Sequence, residues 1–283
     1  KQHITFKKYF PDHSKESISG SAVREICEDK FGNLWIGTED AGISKVNHAT
    51  NEITHYMPTG KRGSISNSNI HGLLAVGNEL WVGTFERGLD VIDIKSGKVK
   101  KHYRSGPGPN DLKSDFIVTL IQSKQGAIYA DTSFGVFRYN AGNDNFDIIK
   151  ALPQRFYSCL LEDDEGNIWA GTHGDGVWLY NPKTGASRHY INEAGNNNSL
   201  SGNFVNALHE DDQKTIWMAT EGGGLCRLDK GLNHFTRYTT AEGLPSNFVF
   251  KILEDSKHNL WITTSKGLVN MHALTRNFTV YTK

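Results

Sequence analysis

Three cysteines, three methionines and seven prolines are all that the 283 residues hold of these types. Three thiols cannot all pair. Cys27, Cys159 and Cys226 are too far apart in the chain for a zinc ribbon or a redox C-x-x-C. A disulfide scaffold is therefore excluded, and free thiols buried among strands are expected. Charge of one sign is also lacking: Lys plus Arg and Asp plus Glu number 31 each. That excludes nucleic-acid binding through a bulk positive field and leaves only a local basic patch open. No apolar run reaches the roughly 18 residues that a membrane-spanning helix needs. Helical periodicity is absent throughout, as is H-E-x-x-H or a comparable metal-ligand pair among the 12 histidines. The chain opens KQHITFKKYF, with neither an initiator Met nor a leader, so it reads as a segment of something longer.

Glycine, in contrast, is abundant at 29 residues, and six short apolar-aromatic pairs recur. They are Leu34-Trp35, Leu80-Trp81, Ile128-Tyr129, Ile168-Trp169, Ile216-Trp217 and Leu260-Trp261, spaced 46, 48, 40, 48 and 44 residues apart. A period of that length with strand-like content marks a radial array of β units. Five of the six tryptophans occupy this one slot and are assigned to packing; Trp178 does not.

Each unit reads as four strands, a to d. Strand a is the run around Val23–Glu28, whose apolar content predicts burial on both faces. Strand b is the Leu-Trp-Ile-Gly-Thr run. Strand c follows a Gly, and strand d ends in Tyr. The Thr closing strand b (Thr38, Thr84, Thr132, Thr172, Thr220, Thr264) and the Gly opening strand c (Gly42, Gly88, Gly135, Gly176, Gly224, Gly267) recur in all six units. Both are expected to be structural, the Thr by bonding a neighbouring strand end, the Gly by permitting a tight turn. The a–b turns are acidic, as in Glu28-Asp29-Lys30-Phe31-Gly32-Asn33. EF-hand spacing is missing, so hairpin chemistry outweighs calcium.

Four-stranded units of this length are propeller blades. The expected fold is all-β: a β-propeller of six complete antiparallel blades at about 18–56, 65–103, 112–149, 152–190, 200–238 and 244–281. An extra N-terminal outer strand is expected at residues 4–9. Either six blades close with that strand added, or the chain is part of a seven-bladed propeller.

The unit E-D-x-x-G-N-L-W-I-G-T-x-x-x-G-L, clearest at Glu28 to Ile43 and Glu162 to Val177, resembles the two-component regulator propeller repeat. The third repeat, with Tyr129, Ala130 and Asp131, departs most, and the second lacks the acidic turn. The resemblance implies the periplasmic sensor region of a hybrid two-component histidine kinase of gut Bacteroidetes. Such receptors carry tandem propellers, a β-sandwich, a membrane helix and kinase modules, and they sense oligosaccharides to regulate glycan use. It further implies a non-catalytic segment, with the neighbouring propeller and β-sandwich as partners and a homodimer in the parent. The first and the second propeller of the pair both fit, and the upstream strand at residues 4–9 with no matching last blade favours the second. No cofactor and no metal are expected.

Within the chain the a–b turns are nearly uniform, whereas the d–a connections and b–c turns diverge. Working loops diverge where scaffold turns do not, so the face shared by those two sets is the expected recognition face. Sugar sites pair an aromatic plate with carboxylate, Arg, Asn or His. Candidates are Phe85, Glu86 and Arg87 in one b–c turn, Phe134 in a second, and His173 with Asp175 in a third. Asp115, Arg155, Asn203 and Asn247 are four of a ring of varied residues, with Ser21 and Ser68, where strand a begins. The alternatives are a protein-interaction or dimerisation scaffold and, less favoured, an enzyme similar to the streptogramin lyases, which are also propellers. His55, His102 and His189 follow the repeat and are expected to be exposed strand residues. His209-Glu210-Asp211-Asp212 is the densest cluster, in place of the usual a–b turn.

Overall fold

The computed structural model describes residues 8–12, 14–109 and 111–282. Six four-stranded antiparallel sheets account for the strands found among them. The first sheet comprises Val23–Glu28, Leu34–Thr38, Ile43–Val46 and Ile53–Tyr56. The fifth comprises Val205–Glu210, Ile216–Thr220, Gly224–Asp229 and His234–Tyr238. In every sheet the strands lie in chain order, a-b-c-d. The fold is thus the all-β propeller class with six four-stranded blades. The one helical turn among the described residues is Thr240–Glu242, closed by a capping box between Thr239 and Glu242.

The chain divides into two compact units, Lys1–Gln122 with Tyr139–Asp147, and Ser123–Arg138 with Ile148–Lys283. The extra strand expected at residues 4–9 falls largely outside the described residues, and Lys8 and Tyr9, which are described, are not part of a strand.

The repeated acidic turn is explained by one hydrogen-bond pattern. In the fourth sheet Asp163 Oδ1 accepts the backbone N–H of Glu165 and Asn167 (3.0 and 2.9 Å), and its Oδ2 accepts the indole N–H of Trp169 (2.8 Å). Asp29 with Trp35, Asp211 with Trp217 and Asp255 with Trp261 repeat it at 2.8–2.9 Å. The carboxylate closes the a–b hairpin and supplies the acceptor that a buried indole requires. In the second sheet, which lacks this Asp, Trp81 donates instead to Glu79 at 3.0 Å. Gly32, Gly126 and Gly166 take the positive φ of the turn.

Strand a departs from the sequence expectation. It is the terminal strand of its sheet, and its faces are only partly covered. Its first apolar position is buried in five sheets (Ile70, Ile117, Tyr157, Val205, Val249), where it packs against strand b of the preceding blade: a Cβ on Gly37 would meet Ile70 Cγ2 at 2.7 Å. In the first sheet the equivalent residues are open, Val23 41 % and Ile26 54 % exposed. A bulge follows that first position in five of the sheets. It turns one extra side chain out of the ladder. At this bulge Ser158 and Asn206 donate to the carbonyls of Val205 and Val249 respectively, linking neighbouring first strands.

Candidate functional site

The b–c turn is built from the two repeated residues. Thr172 Oγ1 donates to Gly176 O (2.8 Å) and accepts Asp175 N–H (2.8 Å), closing the turn on itself. The same Thr-to-Gly bond is present in all six sheets. Gly176 has φ +71, and a Cβ there would lie 2.2 Å from Tyr190 O. Its N–H donates to Asn203 O (2.9 Å), the ring position of the following blade. Gly42 to Ser68, Gly88 to Asp115 and Gly224 to Asn247 repeat this bond. The divergent b–c turns therefore sit against the starts of the next first strands, which places the two candidate groups on one face within each unit.

The ring side chains turn out to be engaged by the d–a loops. Asp115 Oδ1 accepts Ser105 N–H (2.6 Å), Asn203 Oδ1 accepts Asn192 N–H (2.7 Å), and Asn247 Oδ1 accepts Thr240 N–H (2.9 Å). In each case the donor stands two residues after the last Tyr of strand d. A short side-chain oxygen at this point latches the loop, as in an Asx turn. Asp115 also pairs with Arg104 at 3.2 Å. Arg155 is the exception: its Nε donates to Asp175 Oδ2 at 3.1 Å.

In the first unit Phe85, Glu86 and Arg87 form an exposed turn. Phe85 packs on Phe116 (ring centroids 4.8 Å) and stacks near His71 (5.9 Å), and His71 meets Phe116 edge-on at 4.7 Å. Burial, with the charge of Arg24 adding and that of Glu39 opposing, pushes the His71 imidazole down to about 4.

In the second unit His173 is held between two rings, Phe156 (5.2 Å) and Phe204 (4.9 Å, edge-on). Asp175, two residues on, gathers Arg155, the indole N–H of Trp178 (3.3 Å) and His189, whose Nε2 reaches the Asp175 backbone carbonyl at 2.7 Å. Trp178 and His189 stack at 4.1 Å and 10°. The one tryptophan outside the repeated slot thus stands beside the candidate site. Phe134 is half-buried, its N–H donating to Thr132 Oγ1. His55, His102 and His189 are exposed strand residues as expected, and each has a partner on strand c: Ser44, Asp90 and Trp178.

One column escaped the sequence reading. Phe116, Phe156, Phe204 and Phe248 each follow the ring position directly. Phe204 and Phe248 are 43 % and 46 % exposed, and Phe204 and Phe248 bridge the preceding b–c turns at His173 and Glu221. The recurrence of Phe directly after the ring position was the available signal, though its exposure was not. In the second unit the result is a row of phenyl faces, Phe156, Phe204 and Phe248, interleaved with His173, Glu221 and the Arg155–Asp175 pair. Such a surface offers flat apolar plates beside directional donors and acceptors. A separate cleft of about 440 Å³ in the first unit is lined in part by Lys101, Tyr103, Arg104 and Asp144, and Asp144 accepts bonds from Lys101, Tyr103 and Tyr139.

The sequence model of the two component regulator propeller matches residues 17–40, 151–174, 199–222 and 243–266, each covering an acidic turn and its flanking strands. A curated relative, "Histidine kinase P4" of Formosa agariphila, is 27 % identical over 285 residues; they cover 96 % of this chain and only about a fifth, 20 %, of that protein. The extracellular domain of what is described as a hybrid two-component system from B. thetaiotaomicron superposes with a TM-score of 0.77 at 20 % identity, covering 93 % of this chain and 35 % of that one. Virginiamycin B lyase from Staphylococcus aureus superposes with a TM-score of 0.72 at 15 % identity, covering 93 % and 84 %. At these identities the two structural likenesses are likenesses of fold.

Proposed function

We propose that this chain, four stretches of which match the two component regulator propeller, is a non-catalytic ligand-sensing part of a two-component receptor. On this reading it lies outside the cytoplasm, in the periplasm, and its ligand is an oligosaccharide. The repeat match and the histidine kinase relative support the receptor assignment. The observation that carries the ligand class is the row Phe156–Phe204–Phe248 with His173, Glu221, Arg155 and Asp175 between the rings. Half-exposed phenyl faces suit the apolar faces of sugar rings, and the polar side chains suit paired hydroxyls. Extended along successive blades, the row fits a chain of sugars better than a single one.

The lyase likeness raises catalysis as a rival. The geometry favours recognition: His173 is sandwiched by aromatic rings, and His189 is fixed by a backbone carbonyl and a stacked indole. Calorimetric titration of the chain with a panel of plant and host oligosaccharides tests the proposal. Saturable binding weakened about 30-fold by Phe204→Ala is expected, the effect of losing one central aromatic anchor of about 2 kcal/mol. Turnover of a glycan or lactone that a chelator abolishes would replace sensing by catalysis.

A further inference from the structure

On the opposite face, the ends of the first strands and the a–b turns of the fifth and sixth sheets bring four metal-ligating side chains together. His258 Nδ1 lies 2.6 Å from Glu254 Oε1 and 3.7 Å from Asp212 Oδ2. One ligand atom from each of these three residues lies within 4.8 Å of the others. His209 Nε2 bonds the second oxygen of Glu254 at 2.8 Å. We infer that Asp212, Glu254 and His258 form a divalent-cation site of the zinc type, with His209 as the positioning residue that orients Glu254.

The donor set decides the metal class. One imidazole and two carboxylates match the nitrogen and oxygen ligands of zinc, whereas calcium takes about six to eight oxygens. Donors around a tetrahedral zinc at about 2.1 Å sit roughly 3.4 Å apart, so the present spacing closes by small side-chain rotations. The ligands have room to make them, since Asp212 and His258 side chains are 38 % and 54 % exposed.

The neighbouring acids leave these three available. Asp211 and Asp255 are tied to Trp217 and Trp261 and to their own turn amides, and Glu210 bonds Lys230. They fix the two turns around a cleft of about 480 Å³ that Asp212, Glu254 and His258 line together with Lys214. His258 occupies the left-handed position of its turn, φ +62, where the first, third and fourth turns carry Gly32, Gly126 and Gly166. A coordinating side chain thus stands where three other turns use glycine and the fifth turn uses Lys214, at φ +65. Because Asp212 belongs to the fifth sheet and Glu254 and His258 to the sixth, an ion there would pin adjacent blades together. Three protein ligands leave a coordination position for water or a further donor.

The test is titration of the chain with Zn²⁺ in a non-chelating buffer, with Mg²⁺ and Ca²⁺ in parallel. His258→Gly is the informative variant: the backbone there accepts glycine, so loss of binding cannot be ascribed to unfolding. One saturating Zn²⁺ site is expected, weakened about tenfold or more in His258→Gly and in Asp212→Asn, and less so in His209→Gln. Zn²⁺ should also raise the melting temperature of the wild type but not of His258→Gly. The inference is overturned if Zn²⁺ gives no saturable heat, if His258→Gly binds it as tightly as the wild type, or if Ca²⁺ or Mg²⁺ binds equally well.

Discussion

Replacing Asp163 by Ala tests the physical reading of the repeat at its most buried copy. The side chain is fully buried and accepts four hydrogen bonds: from Glu165 N, Asn167 N, Asn167 Nδ2 and Trp169 Nε1. Glu165 is partly open, so water replaces the lost partner there. Asn167 Nδ2 keeps its second acceptor, Glu165 Oε2 (3.2 Å), but Asn167 and Trp169 are 8 % and 1 % exposed, so two donors, Asn167 N and Trp169 Nε1, remain buried without acceptors. Each orphaned buried donor costs about 1–3 kcal/mol, which sums to about 3–4 kcal/mol near the middle of the range. The nearby Lys230 keeps Asp164 and Glu210 and adds little. That loss is a large fraction of the roughly 5–15 kcal/mol that holds a typical protein folded. Urea unfolding followed by circular dichroism and tryptophan fluorescence measures it. A double-mutant cycle with Trp169→Phe, which removes the indole N–H, should show a coupling of about 1–2 kcal/mol. A cost for Asp163→Ala below about 1 kcal/mol, or costs that simply add across the pair, would refute the latch.

Other outcomes follow from single residues. Gly176→Ala should destabilise by about 3 kcal/mol or more, because left-handed backbone strain is compounded by a Cβ on the Tyr190 carbonyl; Gly185→Ala, with open space around it, should cost only about 1 kcal/mol in the same assay. His71 is pushed down to about 4 against an ordinary value near 6.5, so the unfolded chain binds a proton that the folded chain refuses. Its contribution is complete above pH 6.5 and is lost as pH falls toward 4, by about 1–2 kcal/mol after allowing for solvent screening of this half-buried ring; His71→Phe should flatten that part of the stability–pH curve. Cys159 and Cys27 are both pushed up to about 12, chiefly by burial, so native protein should resist iodoacetamide at pH 8 and react fully only in denaturant.

The structural half of the repeat was legible because each of its residues does a local job. Asp, Gly, Asn and Trp close one hairpin; Thr and Gly close the next. Chemistry confined to a few neighbouring residues shows in a sequence as fixed spacing. The exposure of Val23 and Ile26 was not legible, because burial of strand a depends on which sheet covers it and not on its own pattern. The ring was found as a column, but the loop-latching oxygens of Asp115, Asn203 and Asn247 depend on loops whose length varies, so their bonds had no fixed spacing to reveal them. The phenylalanine column was hidden for a simpler reason: a recurring apolar residue reads as core, and its half-exposed state is set by packing across blades.

The central claim is that the face formed by the b–c turns and first-strand starts recognises an oligosaccharide. It is tested most directly by calorimetry of the receptor region that carries this chain against an oligosaccharide panel, comparing wild type with Phe204→Ala and His173→Ala. The account predicts saturable binding of an oligosaccharide, weakened about tenfold or more by each variant while urea midpoints stay near the wild-type value. Absence of saccharide binding, or binding that neither variant alters, would contradict it.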